Sequence, residues 1–348
     1  RSPRPHHRRA ARPAGRVPLL ALALAAGATL AAPCALPDGA QARDATADAA
    51  TAATAVAARP STGCGQRTIA TGRRIEQTID VGGAERQYIL DVPETLVPGE
   101  PASVLFDFHG VGHSGAGVWN VSGFRDLAPR ERFITVYPTG LPVSFTRGDR
   151  TFAGPGWEIR TLAPNRDVDF TLAVLDRLER TYCLDRARVF STGFSNGGFF
   201  SHVLACTHPE RFAAIAPVSG GWLASWSCTP SRPVPVLIQH GRQDEVIDVA
   251  EARRAFDAWL AIAGCAAPSA ATASASAPSA ATASASAASD ATASSSTGSA
   301  DVTCRTGTGC RDGAAVVSCE GDFAHRWPPS ATQRVWEFLR AHPLRSSS

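Results

Sequence analysis

Short apolar runs alternate along most of the chain with longer segments in which apolar residues recur every three to four positions. The short runs, rich in β-branched and aromatic residues, occupy 86–92, 103–108, 133–137, 187–192, 213–218, 234–239 and 314–318. The helical patterns lie between them, at 169–182, 197–207, 249–263 and 331–341. Alternation of this kind predicts an α/β fold, with a mostly parallel central sheet and helices on both faces.

The first 42 residues have the three parts of a secretory signal peptide. Arginines lead into an apolar run at 17–32, and the triplet Ala40-Gln41-Ala42 follows as a cleavage site. A membrane anchor is the alternative, but the run is shorter than the ~20 residues that a bilayer requires. We therefore predict export to the extracellular space or the periplasm, no membrane association after cleavage, and a flexible lead-in over 43–60.

A low-complexity segment interrupts the predicted domain, which extends over 61–342 and is followed by a tail at 343–348. The decapeptide APSAATASAS at 267–276 recurs identically at 277–286, and 287–296 is a degenerate third copy. These repeats lack any large apolar residue that could be buried, so 267–300 is predicted to be a disordered insertion in a surface loop.

The charged residues exclude several kinds of chemistry. All 34 basic residues are arginines, so a Walker-A loop, a lysine Schiff base and a Ser-Lys dyad are excluded. The net charge of +3 comes from the N-terminal segment, because 1–42 has a net charge of +5 and the remainder of the chain has a net charge of −2. The arginines are dispersed, so we expect no nucleic-acid partner.

Nine cysteines are present, and Cys34 falls within the predicted signal peptide. The remaining eight are an even number in an exported chain, and they include no C-x-x-C pair. This pattern favours disulfides over a metal or redox site, but eight cysteines allow 105 pairings.

A candidate nucleophile stands between a predicted strand and a predicted helix. Gly193-Phe194-Ser195-Asn196-Gly197 has the G-x-S-x-G pattern of a nucleophile elbow, whose glycines permit a tight strand-to-helix turn. The five-residue pattern alone is weak, and an ordinary turn would also explain it. Its position after 187–192 and before 197–207 makes Ser195 the predicted nucleophile.

The partners of a catalytic serine are expected in the order acid, then histidine, after later strands. Asp244 follows the run at 234–239, and His325 follows the run at 314–318. Asp248 is the rival acid, although a helix N-cap also explains it, and His240 is the rival base, which more simply braces the turn. The sequence thus predicts a Ser195–Asp244–His325 triad.

Two main-chain N–H groups are candidates for the oxyanion hole. One belongs to Asn196, directly after the nucleophile, and the other to Val111 in the glycine-rich loop that follows 103–108. A plain glycine-rich turn would explain the glycines of that loop, but not its place after a strand.

With these residues in view, the chain resembles the secreted polyhydroxybutyrate depolymerase and feruloyl esterase family of α/β-hydrolases. The resemblance extends over about 64–328, and its most specific parts are TGFSNGG at 192–198 and His325-Arg326-Trp327-Pro328. It implies the triad above, a polymer-linked carboxylic ester substrate, and no cofactor or metal. It also makes Trp157, Phe194 and Trp327 candidate substrate-binding residues, although core packing equally explains a tryptophan.

The resemblance and the cysteine spacing together suggest four disulfides. The suggested pairs are Cys64–Cys183, Cys206–Cys228, Cys265–Cys304 and Cys310–Cys319. Departures from the family pattern are Glu158 after Trp157, the residues 322–324 ahead of the histidine, and the decapeptide insertion.

The function expected from the sequence is that of an exported serine esterase that forms an acyl-enzyme. Hydroxycinnamoyl esters on plant polysaccharide and polyhydroxyalkanoates are the competing substrates, and the cysteine-dense C-terminal part favours the former. A non-catalytic polymer-binding homologue and a secreted serine peptidase are the alternatives. The complete triad order argues against the first, and the lack of a recognisable peptide-specificity pocket against the second.

Overall fold

The computed structural model describes residues 56–65, 70–268 and 302–345. The predicted signal peptide and nearly all of the predicted insertion lie outside these residues. Within the described ranges, no helix is both long enough and apolar enough to cross a bilayer.

Nine strands of the described residues form a sheet at the centre of the fold. They are β1 (Gly72–Val81), β2 (Ala84–Val92), β3 (Ala102–Phe108), β4 (Phe133–Pro138), β7 (Leu184–Phe194), β8 (Ala214–Val218), β9 (Val236–Gly241), β10 (Thr303–Thr306) and β11 (Val316–Gly321). Their order across the sheet is β1-β2-β4-β3-β7-β8-β9-β11-β10. Strands β4, β3, β7, β8, β9 and β11 are parallel to one another, and β1, β2 and β10 add antiparallel edges.

Helices cover both faces of this sheet, as the alternating pattern predicts. They are α1 (Gly115–Val121), α2 (Phe124–Glu131), α3 (Arg166–Thr181), α4 (Asn196–Thr207), α5 (Val249–Ala263) and α6 (Ala331–Ala341). Helices α3, α4 and α5 pack on one face, and α1, α2 and α6 on the other. The division follows strand geometry, because Val104 and Phe106 of β3 face the first group and Leu105 between them faces the second.

A separate two-stranded hairpin lies beside the main sheet. It consists of β5 (Leu141–Arg147) and β6 (Arg150–Gly156), which pair antiparallel. The Gly112 N–H donates to the carbonyl oxygen of Pro155 at 2.9 Å, so the hairpin is joined to the loop that follows β3.

All seven predicted strands and all four predicted helices are confirmed, and α5 and α6 have the predicted bounds. The sequence interpretation missed β1, β5, β6, β10, α1 and α2. The first four lie at sheet edges or in the separate hairpin, where only one face is covered, and the two helices are short. Their patterns therefore differ little from those of loops.

The structure confirms two suggested disulfides and corrects the other two. Cys64 pairs with Cys183 and Cys206 with Cys228, as suggested. The pairings Cys265–Cys304 and Cys310–Cys319 are wrong, because the disulfides are Cys265–Cys310 and Cys304–Cys319. The cause is β10, which places Cys304 directly opposite Cys319 on β11.

Candidate active site

Ser195 occupies a sharp turn between β7 and α4. Its backbone φ is 55° and ψ is −119°, a conformation that a residue with a side chain rarely adopts. The turn is held by the Ser195 N–H, which donates to the carbonyl oxygen of Val218 at 2.9 Å. The sequence pattern therefore forms the predicted elbow.

The two glycines of the pattern are required by close backbone contacts. A Cβ atom at Gly197 would lie 2.1 Å from the carbonyl oxygen of Phe108, and one at Gly193 would lie 2.6 Å from the backbone of Gly197. Both distances are far below van der Waals contact, so any side chain here would move the turn.

The structure brings Ser195, His325 and Asp244 together in one hydrogen-bonded chain. The Oγ of Ser195 lies 2.9 Å from Nε2 of His325, and Nδ1 of His325 lies 2.7 Å from Oδ2 of Asp244. With the Nδ1 proton donated to the carboxylate, Nε2 is free to accept the serine proton. This is the arrangement that activates a serine hydroxyl.

Asp244 is held as a carboxylate at the end of β9. Its Oδ1 accepts the main-chain N–H groups of Val246 and Ile247, at 2.9 and 2.8 Å. Burial acts to raise the pKa of Asp244, but the hydrogen bonds from His325 and Ile247 outweigh it and lower the pKa. The carboxylate is thus ionised where the imidazole needs a fixed negative partner.

The rival residues have structural roles. Asp248 caps α5, since its Oδ1 accepts the N–H of Ala250 at 2.8 Å. His240 is fully buried, and its Nδ1 lies 3.0 Å from the carbonyl oxygen of Gly241. Its Nε2 is 3.8 Å from Oδ2 of Asp244 and has no hydrogen-bond partner among the described residues.

The loop after β3 approaches the nucleophile as the oxyanion prediction requires. A Cβ atom at Gly110 would lie 3.3 Å from the Cβ of Ser195, so the loop and the elbow touch. Within the described residues, neither Val111 nor Asn196 donates its main-chain N–H to a protein acceptor. Both amides therefore remain candidates for binding the oxyanion.

His109 fixes this loop, a role that the sequence interpretation did not assign. Its ring is buried, with Nδ1 2.7 Å from the carbonyl oxygen of Gly110 and Nε2 accepting the Gly140 N–H at 2.9 Å. Burial lowers the pKa of His109 to about 4, so the ring is neutral and can serve both bonds. The signal available in the sequence is its position between a strand and a glycine-rich loop.

A cavity of about 310 Å³ opens beside Ser195. Strand β5 forms one wall, and the loop after β6, Arg166 of α3, and residues near the elbow form the others. The lining residues are Pro142, Val143, Ser144, Phe145, Thr146, Trp157, Glu158, Ile159, Arg160, Arg166, Ser195, Asn196, Phe199, Leu223 and Ile247. The wall is more apolar than polar, which suits an apolar portion of an ester.

Comparison with known proteins agrees with this geometry. Residues 97–267 match the phospholipase/carboxylesterase family model. Feruloyl esterase D of Neurospora crassa is 31% identical over 221 residues, which are 60% of this chain and 70% of that protein. Feruloyl esterase C of Emericella nidulans is 30% identical over 170 residues, 47% of this chain and 56% of that protein.

This chain belongs to the feruloyl esterase-like α/β-hydrolases. It is therefore a carboxylesterase by family. The acetyl xylan esterase from Aspergillus awamori has the same fold, with a TM-score of 0.54 at 18% identity over 76% of this chain and 99% of that one. Among the described residues of this esterase, no group of three or more His, Cys, Asp or Glu side chains is placed to hold a metal ion.

The three predicted substrate-binding aromatics occupy different surroundings. Trp157 borders the cavity, but its ring is 1% exposed and stacks on Phe200 in the core, so it is not an open aromatic wall. Its main-chain N–H donates to Oδ1 of Asn196 at 2.7 Å, which fixes the residue after the nucleophile.

Trp327 and Phe194 also differ from aromatic cavity walls. Trp327 is not among the lining residues, because its ring packs edge-to-face on Phe124 and its Nε1 donates to Thr332 at 3.0 Å. Phe194 packs on the imidazole of His325, with ring centroids 4.7 Å apart. The sequence interpretation missed two aromatic residues on the cavity wall. They are Phe199 and Phe145, and Phe145 stacks on Phe152 across the hairpin.

Proposed function

We propose that this esterase is an exported serine hydrolase in which Ser195 attacks the ester carbonyl and forms an acyl-enzyme. The observation that carries this proposal is the unbroken chain of short contacts from the Ser195 hydroxyl through His325 to Asp244. Nucleophile, base and orienting acid are each within hydrogen-bond distance of the next, which is the geometry that nucleophilic catalysis requires.

His325 accepts the serine proton as the tetrahedral intermediate forms and returns it to the leaving alcohol. Asp244 holds the tautomer that exposes Nε2 and stabilises the imidazolium. The main-chain N–H groups of Asn196 and Val111 stabilise the oxyanion, an interaction that strengthens as the charge develops. Water, activated in turn by His325, then releases the acid from Ser195.

The proposed substrates are hydroxycinnamoyl esters linked to plant polysaccharide. The relatives named feruloyl esterases support this class, and so does the largely apolar cavity beside Ser195. Phe145 offers an aromatic face on that cavity, where an aromatic acyl group would gain stacking energy of ~1 kcal/mol beyond its buried area.

Export is proposed from the signal-like segment at 1–42 and is supported by the disulfides. Four disulfides join the described cysteines, and such bonds persist in oxidising compartments.

Substrate choice is tested by supplying methyl ferulate and polyhydroxybutyrate granules to the purified enzyme. We expect release of ferulate, and no release of hydroxybutyrate oligomers above the level seen with Ser195→Ala. Rapid quenching with methyl ferulate, followed by peptide mapping, should locate a feruloyl group on the peptide that contains Ser195. Release of hydroxybutyrate oligomers without release of ferulate would overturn the substrate proposal, and an acyl group on another residue would overturn the mechanism.

A further inference from the structure

Two arginines on the cavity wall have no carboxylate partner among the described residues. Arg160 and Arg166 both line the cavity that contains Ser195. The hydrogen bonds that their guanidinium groups make within the described residues go to main-chain oxygens of β5, and neither forms an ion pair there. By contrast, Arg86, which is buried near the start of α3, is neutralised by Asp167 at 2.6 Å.

Strand β5 holds both guanidinium groups in place. Arg160 donates to the carbonyl oxygen of Ser144 at 2.7 Å, and Arg166 donates to that of Pro142 at 3.4 Å. In a β-strand, carbonyl groups two residues apart point to the same side. Pro142 lies opposite Pro155, and neither proline has an N–H for a cross-strand hydrogen bond, so this is a position where the carbonyl groups point away from the partner strand. The carbonyl groups of Pro142 and Ser144 therefore both point away from β6. The two anchoring oxygens are therefore roughly 7 Å apart on one strand edge.

Each guanidinium keeps most of its hydrogen-bonding capacity. Arginine has five N–H donors, and only one is used in each of these anchors. Because the anchor already restricts the side chain, less conformational entropy is lost when a ligand binds to the remaining donors.

The cavity wall as a whole has an excess of positive charge. Glu158 is the one acidic residue among the described lining residues, against Arg160 and Arg166. Its Oε1 already accepts the main-chain N–H of Arg160 at 2.7 Å. Arg166 is also the first residue of α3, whose N-terminus adds a partial positive charge.

We propose that the preferred esters of this enzyme carry a carboxylate, which Arg160 and Arg166 bind while the ester carbonyl lies at Ser195. This inference rests on the proposed function and extends it by naming the chemical class of the substrate. An acidic sugar on the alcohol side and a dicarboxylic acid on the acyl side both supply this group. The experiment separates the two.

The test uses two matched pairs of neutral and anionic esters. For the acyl side, p-nitrophenyl hexanoate is compared with the p-nitrophenyl monoester of adipate. For the alcohol side, ethyl ferulate is compared with the ferulate ester of glycolate. The measured quantity is the ratio of kcat/KM for the anionic ester to kcat/KM for its neutral partner, at low and high NaCl concentration.

For one of the pairs, we expect Arg160→Gln and Arg166→Gln each to lower this ratio about three- to fivefold, the upper part of the range for a partly exposed ion pair. Glu158→Gln keeps an oxygen acceptor for the Arg160 N–H but removes the opposing charge, so it should raise the ratio. Arg160→Lys keeps the charge and should retain most of the ratio. Added salt should lower the ratio of the wild type.

Arg180→Gln is the matched control, since Arg180 is an exposed residue of the same helix, about 20 Å along α3 from Arg166. It should keep the wild-type ratio. Equal ratios in the wild type, Arg160→Gln and Arg166→Gln for both pairs would overturn the inference while leaving the serine mechanism intact. Hydrolysis of both esters by Ser195→Ala at the wild-type rate would instead overturn the proposed function.

Discussion

Each member of the candidate triad is defined by what its side chain contacts. Ser195 lies in a strained backbone conformation, His325 touches both partners, and Asp244 is clamped by two main-chain N–H groups. The sequence indicated all three through their positions after strands. It left Asp248 open as an alternative acid, because only the folded chain shows that Asp248 caps a helix.

The difference between the two acids leads to a paired prediction. Asp244→Asn should lower kcat for p-nitrophenyl acetate about 10⁴-fold, because an amide no longer holds the imidazole tautomer that leaves Nε2 free. Asp248→Asn should keep kcat within about twofold, because asparagine is an equally good N-cap. Similar losses in both variants would show that Asp244 has no special role.

Asp107 of β3 is an acid that the proposed mechanism does not use. It is fully buried, and neither carboxylate oxygen has a hydrogen-bond partner among the described residues. Burial raises the pKa of Asp107 to about 7, and the nearby Ser122 side chain offsets only part of this effect. Between about pH 4 and pH 7, the folded protein therefore keeps a proton that the unfolded chain releases.

This proton makes the free energy of unfolding fall as the pH rises through that window. Asp107→Asn has no proton to lose, so its free energy of unfolding relative to that of the wild type should increase from pH 4.5 to pH 8, by about 3 kcal/mol. Urea unfolding at several pH values measures the difference. The exposed Asp257→Asn serves as control and should give a flat difference, and a flat difference for Asp107→Asn would contradict this account of its burial.

At the scale of elements, the elbow depends on the close approach of β3, β7 and α4. Gly197→Ala places a Cβ 2.1 Å from the Phe108 carbonyl oxygen, so the turn must shift and move Ser195 relative to His325. We expect about a 10²-fold loss of kcat for p-nitrophenyl acetate. Gly117→Ala in α1, where the nearest atom is 3.6 Å from the new Cβ, should retain activity. Full activity of Gly197→Ala would show that the turn adapts and that the contact is unimportant.

How well each element could be predicted follows from its burial. Strands β3, β8 and β9 are almost entirely buried and contain short apolar runs, and α5 has a complete apolar stripe. The hairpin β5–β6 and the edge strand β10 have weak patterns, because much of their surface is exposed. That weakness explains why Phe145 was missed as a cavity residue and why two disulfides were paired wrongly.

The predicted substrate-binding residues also show what a sequence pattern leaves undetermined. Tryptophans attract attention in a sequence, yet Trp157 and Trp327 are packed inside the protein. Their orientation depends on Phe200 and Phe124, which are distant from them in the sequence and adjacent only after folding. Sequence alone indicated which residues form the candidate triad, but not the shape of the cavity beside it.

At the scale of the whole molecule, the chain segments that flank the decapeptide insertion are joined to each other. A disulfide links Cys265 with Cys310, and an isolated β-bridge pairs Ala266 with Thr308. Replacing 270–300 with a short Gly/Ser linker should therefore leave kcat for methyl ferulate and the urea midpoint unchanged, since loop length adds little to closure entropy. Loss of activity on methyl ferulate with an unchanged urea midpoint would show that the insertion takes part in catalysis or substrate binding.

The central claim is that Ser195 is the nucleophile of this carboxylesterase. The most direct measurement is kcat for p-nitrophenyl acetate in the wild type and in Ser195→Ala, with circular dichroism to confirm that the variant is folded. We predict a fall of ~10⁴-fold or more, the cost of removing a triad member. A folded Ser195→Ala protein that hydrolyses p-nitrophenyl acetate at the wild-type rate would contradict the account.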